Sequence, residues 1–353
     1  MKKLLRLVYT FAVLLLAASC NTAARDATDN LLAEGRQPQI SVTAEGTTRV
    51  VYGQGDAIYC VTSQDNGNSF SDPVIVGKIK DLLLGMAMGP QIASTPSHSV
   101  VTAIDKKGNI HSFTLAHSAN SWAKTGQVND VPGVAAEGLM SIASNGEDTF
   151  YAVWLDVRSD KKNKVVLTSA KAPVTTWGAN KVVYQSPDST VCECCKPNIA
   201  VKEKKVHIMF RNWLNGSRDF YLSSSTDGGQ TFAAPVKLGQ GTWKVDGCPM
   251  DGGGLLIDKN NTVQTTWQRD GSIYVTSPGS SEKAIGKGRN CRISNPASPV
   301  VAWKDGDNLK VKFIASGKEQ TIGKGTYIET ATLPDKKTLC IWENDKKLYF
   351  TKL

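Results

Sequence analysis

Histidine is scarce in this chain, 4 in 353 residues, and aromatic side chains make up only 7% of it. His98, His111, His117 and His207 fall singly on turns and strand-like runs, so a histidine-rich metal site and a serine–histidine relay both lack their parts. A nucleophile elbow, a phosphate-binding glycine loop and a dinucleotide fingerprint are missing too, and glycine clusters such as DGGGLL at 251–256 serve turns. Helical periodicity is nearly absent, with one short helical turn expected at DLLLGMAM, 81–88. After the N-terminal leader no apolar run approaches the roughly 20 residues that span a bilayer. Lys and Arg outnumber Asp and Glu by 41 to 32, but the excess is scattered over turns such as KEKK and PDKK. No basic run is interleaved with aromatics, which argues against a nucleic-acid partner.

What is present begins with MKKLLRLVYTFAVLLLAASC: three cations, an apolar stretch of secretory length and small residues before Cys20. The LAASC ending resembles a bacterial lipobox, which implies cleavage before Cys20 and acylation of its thiol. The expected organisation is a signal peptide over 1–19, a lipid anchor and polar tether over 20–36, and one folded domain over 37–353. Removing Lys2, Lys3 and Arg6 with the leader lowers the formal charge from +9 to +6. Such a chain is expected in the bacterial cell envelope, outside the cytoplasm, at the outer membrane or on the periplasmic face. It would touch the membrane through the anchor alone, as a monomer.

The domain is built on repetition. A strand ending in a bulky residue and then a polar turn recurs seven times, as in VVYGQGD (50–56), YAVWLDVR (151–158) and LCIWEND (339–345), and another strand follows each copy. The unit reads as a four-stranded antiparallel meander, strands A to D. Sheets of this kind cannot cover both faces alone, and stacking them radially does so, which predicts an all-β β-propeller of seven blades. The last blade ends at strand C, so its fourth strand is expected from the N-terminal NLLAEG.

Two turns carry a stricter pattern, SQDNGNSF at 63–70 and STDGGQTF at 225–232. In each, the carboxylate of Asp65 or Asp227 and the hydroxyl of Ser63 or Ser225 can accept backbone N–H groups. Gly67 and Gly229 supply a tight turn, and Phe70 and Phe232 leave it pointing between sheets. These two turns and the VWLDVR strand resemble the BNR/Asp-box family of the sialidase superfamily over essentially the whole mature chain. The resemblance implies a structural role for the turns at the outer, bottom side of a blade, between strands C and D. It offers six blades as the alternative to the seven counted. It also implies an arginine trio on a substrate carboxylate, a tyrosine nucleophile assisted by a glutamate, and an aspartate acid. The family's Arg-Ile-Pro motif is missing, and Arg36 in GRQPQI is its nearest echo.

Long D–A connections and B–C turns share the opposite face, and that is where a site is expected. Its acids are Glu137, Asp246 and Asp251; its ligand-binding residues are Arg158, Arg211, Trp213, Arg218, Arg269 and Arg292. Guanidinium groups gathered there suit a carboxylate, although Arg211 and Arg269 could instead pair with Asp219 and Asp270. No tyrosine in the long loops presents itself as a nucleophile. Of 8 cysteines, Cys192, Cys194, Cys195, Cys248 and Cys291 fall on D–A connections, and disulfides stapling those loops are the favoured reading. A soft metal held by Cys194, Cys195 and Cys248 is the alternative, and no other cofactor is expected. The function expected is binding of, or exo-α-sialidase-type hydrolysis of, a glycan or other acidic ligand. A non-catalytic propeller that binds glycan or protein, or a thiolate metal-binding one, is the alternative.

Overall fold

Short alternating runs separated by polar turns become seven four-stranded antiparallel sheets in the computed structural model, which describes residues 31–188 and 190–353. The leader, Cys20 and most of the tether lie outside the described residues. The innermost strands are Arg36–Val42, Gln91–Ser94, Met140–Ser144, Asn198–Lys202, Gly254–Ile257, Arg289–Ser294 and Tyr327–Thr332, one for each of blades 1 to 7. Arg36–Val42 packs against both Gln91–Ser94 and Tyr327–Thr332, so the inner strands form a closed ring around an axis. Leu31–Glu34 supplies the outermost strand of blade 7, pairing Leu31 with Tyr349 and Glu34 with Lys347. The expected closure is thus made by strand pairing between the two ends of the fold.

Each pair of neighbouring blades shares its own apolar core, because alternation along a strand sends side chains to both sheet faces. Ile104, Ile110 and Trp154 fill the space between blades 2 and 3. Val50, Tyr52, Leu339 and Ile341 fill the one between blades 7 and 1. Fully burying one such side chain contributes about 1.5–3 kcal/mol, so stability is spread around the ring. A repeated device seats the aromatic residues. The outer strands of blades 1, 5 and 6 carry Gly77, Gly286 and Gly323 at bulges. Onto those glycines lie Phe113, Trp303 and Trp342 of the following blades. Trp303 also donates from Nε1 to the Lys287 carbonyl at 2.8 Å.

The two Ser-x-Asp-x-Gly turns have the same hydrogen bonds. Ser63 Oγ donates to Asp65 at 2.7 Å and accepts the Gly67 amide at 2.9 Å. Ser225 repeats this with Asp227 and Gly229 at 2.7 and 2.9 Å. Phe70 then meets Phe350 edge-on, with ring centres 5.2 Å apart. The helical turn expected at 81–88 is not formed. Positive φ at Asp81, Gly85, Met86 and Ala87 stops a helix. Leu82 instead bridges to Asp105, and Leu82 and Leu84 wedge into the core between blades 1 and 2.

Candidate functional site

Residues two apart on an inner strand project to the same side, and this places Tyr327 and Glu329 together. Tyr327 Oη donates to Glu329 Oε1 at 2.6 Å, while Gln39 Nε2 donates to both, at 2.6 and 2.8 Å. Arg292 Nε closes the network on Glu329 Oε1 at 2.7 Å. Burial drives the Glu329 carboxyl up, but Arg292 and Lys196 outweigh it and hold it below its ordinary value. Burial, with the Glu329 charge adding, raises the Tyr327 phenol well above its usual range. Lys196 donates to Gln91 Oε1 at 3.0 Å, and burial lowers its ammonium to about 8. Gln39 of blade 1, Arg292 of blade 6 and Tyr327 of blade 7 thus surround a buried, ionised carboxylate, to which Lys196, just before the inner strand of blade 4, adds its charge.

Above this network opens a cavity of about 410 Å³ whose walls include Arg36, Arg289, Tyr327, Glu343 and Lys346, with Met86 and Met250 also lining it. Arg36 Nε contacts Glu343 Oε1 at 3.0 Å, and the other Glu343 oxygen accepts the Gln37 amide at 2.9 Å. Arg289 is exposed and donates to the Pro249 carbonyl at 3.2 Å. It has no ion pair among the described residues, so its charge is open to an anionic ligand. The sequence offered a signal for this site in the alternation of TYIET, where Tyr327 and Glu329 share one face. Because Tyr327 opens an inner strand and does not sit on a long loop, loop composition alone does not point to it.

The arginines expected to share a carboxylate each have separate partners. Arg158 bonds Asp156 through Nε and Nη2, at 2.9 and 2.8 Å, and reaches Asp130 at 3.1 Å. Arg218 holds Glu193 through two bonds of 3.1 Å and lies 4.1 Å from the ring centre of Trp213. Arg269 pairs with Glu282 and stacks on Tyr274; Arg292 pairs with Glu329. Arg211 is fully buried and donates to the carbonyls of Arg218 and Gln268, each at 2.8 Å. The pairing foreseen with Asp219 and Asp270 is replaced, since Asp219 meets Lys237 at 3.0 Å. Arg211, Trp213, Arg218 and Arg269 lie in strands and not in B–C loops, because those strands run further than their polar sequence suggests.

The acids are likewise separate. Glu137 accepts from Asn163 at 3.0 Å. Asp246 is exposed beside Trp213. Asp251 is buried and accepts the amides of Gly253 and Asn290, at 3.0 and 2.7 Å, which ties blades 5 and 6 together.

Cysteines do gather. Cys194 and Cys248 form a disulfide between two D–A connections. Beside it, Cys192 and Cys195 are buried free thiols. Cys291 instead lies in the inner strand of blade 6, buried and free. The sulfur of Cys192 is 3.7 Å from that of Cys194 and 3.4 Å from that of Cys195, and Arg218 Nη1 lies 3.1 Å away. The contact with Cys195, with Arg211 and Arg218 adding, lowers the Cys192 thiol to about 7 against the opposing effect of burial. Burial pushes Cys195 well up.

Neither a protein-family model nor a curated protein matches the sequence. Solved structures do match. The chain is similar to the Hadza microbial sialidase Hz136 at 12% identity, covering 91% of this chain and 66% of that one, with a TM-score of 0.52. It is similar to the sialidase of Trypanosoma rangeli at 13% identity, covering 91% and 55%, with a TM-score of 0.52. The fold that the chain shares with these sialidases is the β-propeller. A third likeness is to the SapL1 lectin, solved with alpha methyl fucoside, at 11% identity over 84% of this chain and 98% of that one, with a TM-score of 0.54. The propeller spans just under two thirds of the first sialidase and about half of the second.

Proposed function

We propose that this propeller binds an acidic glycan in the cavity over Tyr327, with the sugar's carboxylate on Arg289 and its ring against Tyr327 and the two methionines. The observation that carries the reading is the cavity itself: an exposed guanidinium without an ion pair stands beside a buried phenol at the axis of the ring. Anionic sugars suit that combination, because guanidinium binds carboxylate through paired hydrogen bonds. The lectin and sialidases of like fold support it, since their names associate this scaffold with sugars, although fold alone does not confer chemistry.

Hydrolysis is the second reading, favoured by one contact. A phenol hydrogen-bonded to an ionised carboxylate is the nucleophile-and-base pair that a sialidase uses in place of two carboxylates. The test measures turnover of a fluorogenic sialoside beside glycan-array binding. Binding without turnover supports the first reading, and turnover abolished in Tyr327→Phe supports the second. Binding that is absent, or unchanged in Arg289→Ala, defeats the placement of the ligand. The same proposal has the chain exported and anchored through Cys20, which acyl-chain labelling of the intact protein and of Cys20→Ser checks.

A further inference from the structure

Four cysteines meet on the top face at the junction of blades 3, 4 and 5. Three sulfurs, those of Cys192, Cys194 and Cys195, lie 3.7, 3.4 and 4.0 Å from one another. A tetrahedral thiolate site with metal–sulfur bonds of about 2.3 Å has sulfur–sulfur edges of about 3.8 Å, so this triangle already has the size of one face of such a site. The fourth sulfur, Cys248, is bonded to Cys194 and reaches the cluster from the exposed side.

A second observation concerns charge. The Arg211 guanidinium is buried between the rings of Phe220 and Trp243, 4.1 and 5.2 Å from their centres. It bonds two carbonyls, leaves Nε without a partner, and has no ion pair among the described residues. Its own backbone carbonyl accepts the Cys192 amide at 3.0 Å. An unpaired buried cation is costly, and Arg218 adds another positive charge on the Cys192 sulfur. Arg218 is already paired with Glu193, so the charge left without a partner is that of Arg211, and a metal surrounded by four thiolates, which carries net negative charge, supplies its counter-charge.

We infer that Cys192, Cys194, Cys195 and Cys248 are a tetrathiolate site for a soft d¹⁰ cation, Zn²⁺ or Cu⁺, formed when the Cys194–Cys248 bridge is open. A dithiol reductant opens the bridge: it gives up two electrons and two protons, becomes a disulfide itself, and leaves Cys194 and Cys248 as thiols. The cation then replaces four thiol protons, which pass to solvent. Soft thiolates select such ions over hard ones, and the oxidised protein holds a disulfide in their place. This inference is independent of the glycan reading, which concerns the cavity over Tyr327.

The test uses the full-length protein, reduced anaerobically with a dithiol or left oxidised, then exposed to Zn²⁺ or Cu⁺ and desalted against a weak chelator. Elemental analysis is expected to find about one equivalent retained after reduction and none before, and Co²⁺ in the reduced site is expected to give a thiolate charge-transfer band. Cys192→Ser and Cys248→Ser are each expected to weaken retention at least about tenfold, while Cys340→Ala, in a strand of blade 7, leaves it unchanged. Circular dichroism of each metal-free variant separates a lost ligand from a lost fold. Retention that is equal in oxidised and reduced protein, or unchanged in folded Cys192→Ser, overturns the site. So does folded, reduced wild type that retains neither ion.

Discussion

Arg292 of blade 6 meets Glu329 of blade 7 at 2.7 Å, with the two side chains retaining 10% and 12% of their exposure. The pair sits where two inner strands face the axis, and Tyr327, Gln39 and Lys196 gather around it. Removing one partner leaves the other charged and enclosed. Glu329→Gln is therefore expected to cost about 3–5 kcal/mol in a denaturant melt. The double change Arg292→Met with Glu329→Met is expected to recover only part of that loss, because the Arg292 charge goes with its partner while the buried Lys196, which also faces Glu329, loses its counter-charge. Equal losses in single and double variants would contradict this.

Tyr327→Phe keeps the ring that lines the cavity and removes the hydroxyl held by Glu329 and Gln39. Its effect on glycan binding is expected to be small, while Arg289→Ala is expected to weaken binding about tenfold, equivalent to about 1.4 kcal/mol. Titration of one acidic oligosaccharide against both variants checks the pair of outcomes.

A Cβ placed on Gly286 would come 2.6 Å from Trp303 Cζ2, and one on Gly323 would come 3.1 Å from Trp342 Cζ2. Gly286→Val is accordingly expected to cost about 1–3 kcal/mol through overpacking, with Gly323→Ala milder. Thermal melts followed by tryptophan emission would show the order reversed if the glycines were not seats for these rings.

The two aspartate turns give a pH dependence. Slight desolvation works to raise the Asp65 carboxyl, but Ser69, Ser63 and Asn68 outweigh it and hold it at about 2. The hydroxyl and amide of Thr231, then Ser225 and Gln230, hold Asp227 lower still. A depressed folded value means that the stabilisation is complete above the unfolded carboxylate pKa, about 3.9, and is lost as pH falls toward the folded one. Wild type is expected to lose melting temperature between about pH 4 and 2. Asp65→Asn with Asp227→Asn is expected to melt lower at neutral pH and to lose less over that acid range. Parallel curves for the two proteins would defeat this.

The blades were readable because a strand ending in a bulky residue and a polar turn is a local signal, repeated in register with the sheets. The closing strand was readable by the same logic, since a blade that ends at Lys352 has an unmatched edge. The arginines were harder. Arg211 and Arg269 follow strand-ending aromatics and look like turn residues, yet Arg211 is stacked on Phe220 and Arg269 on Tyr274, so their strands continue through positions that composition marks as polar. Tyr327 and Glu329 lie on an inner strand whose two faces look alike until the axis is known. That the Cys192 sulfur lies 3.7 and 3.4 Å from those of Cys194 and Cys195 is not legible in the sequence, because it depends on how the connecting loop folds back on itself.

The pairing of Leu31 with Tyr349 orders events in time as well as in space. During synthesis the first strand of the fold leaves the ribosome hundreds of residues before its partner exists. Blades 1 to 6 can each complete themselves from consecutive chain, while the segment at Leu31–Glu34 must wait, unsatisfied, for the last strand. Interruption of translation or trimming at the C-terminus would therefore leave two loose edges from a single lesion, one at each end of the polypeptide.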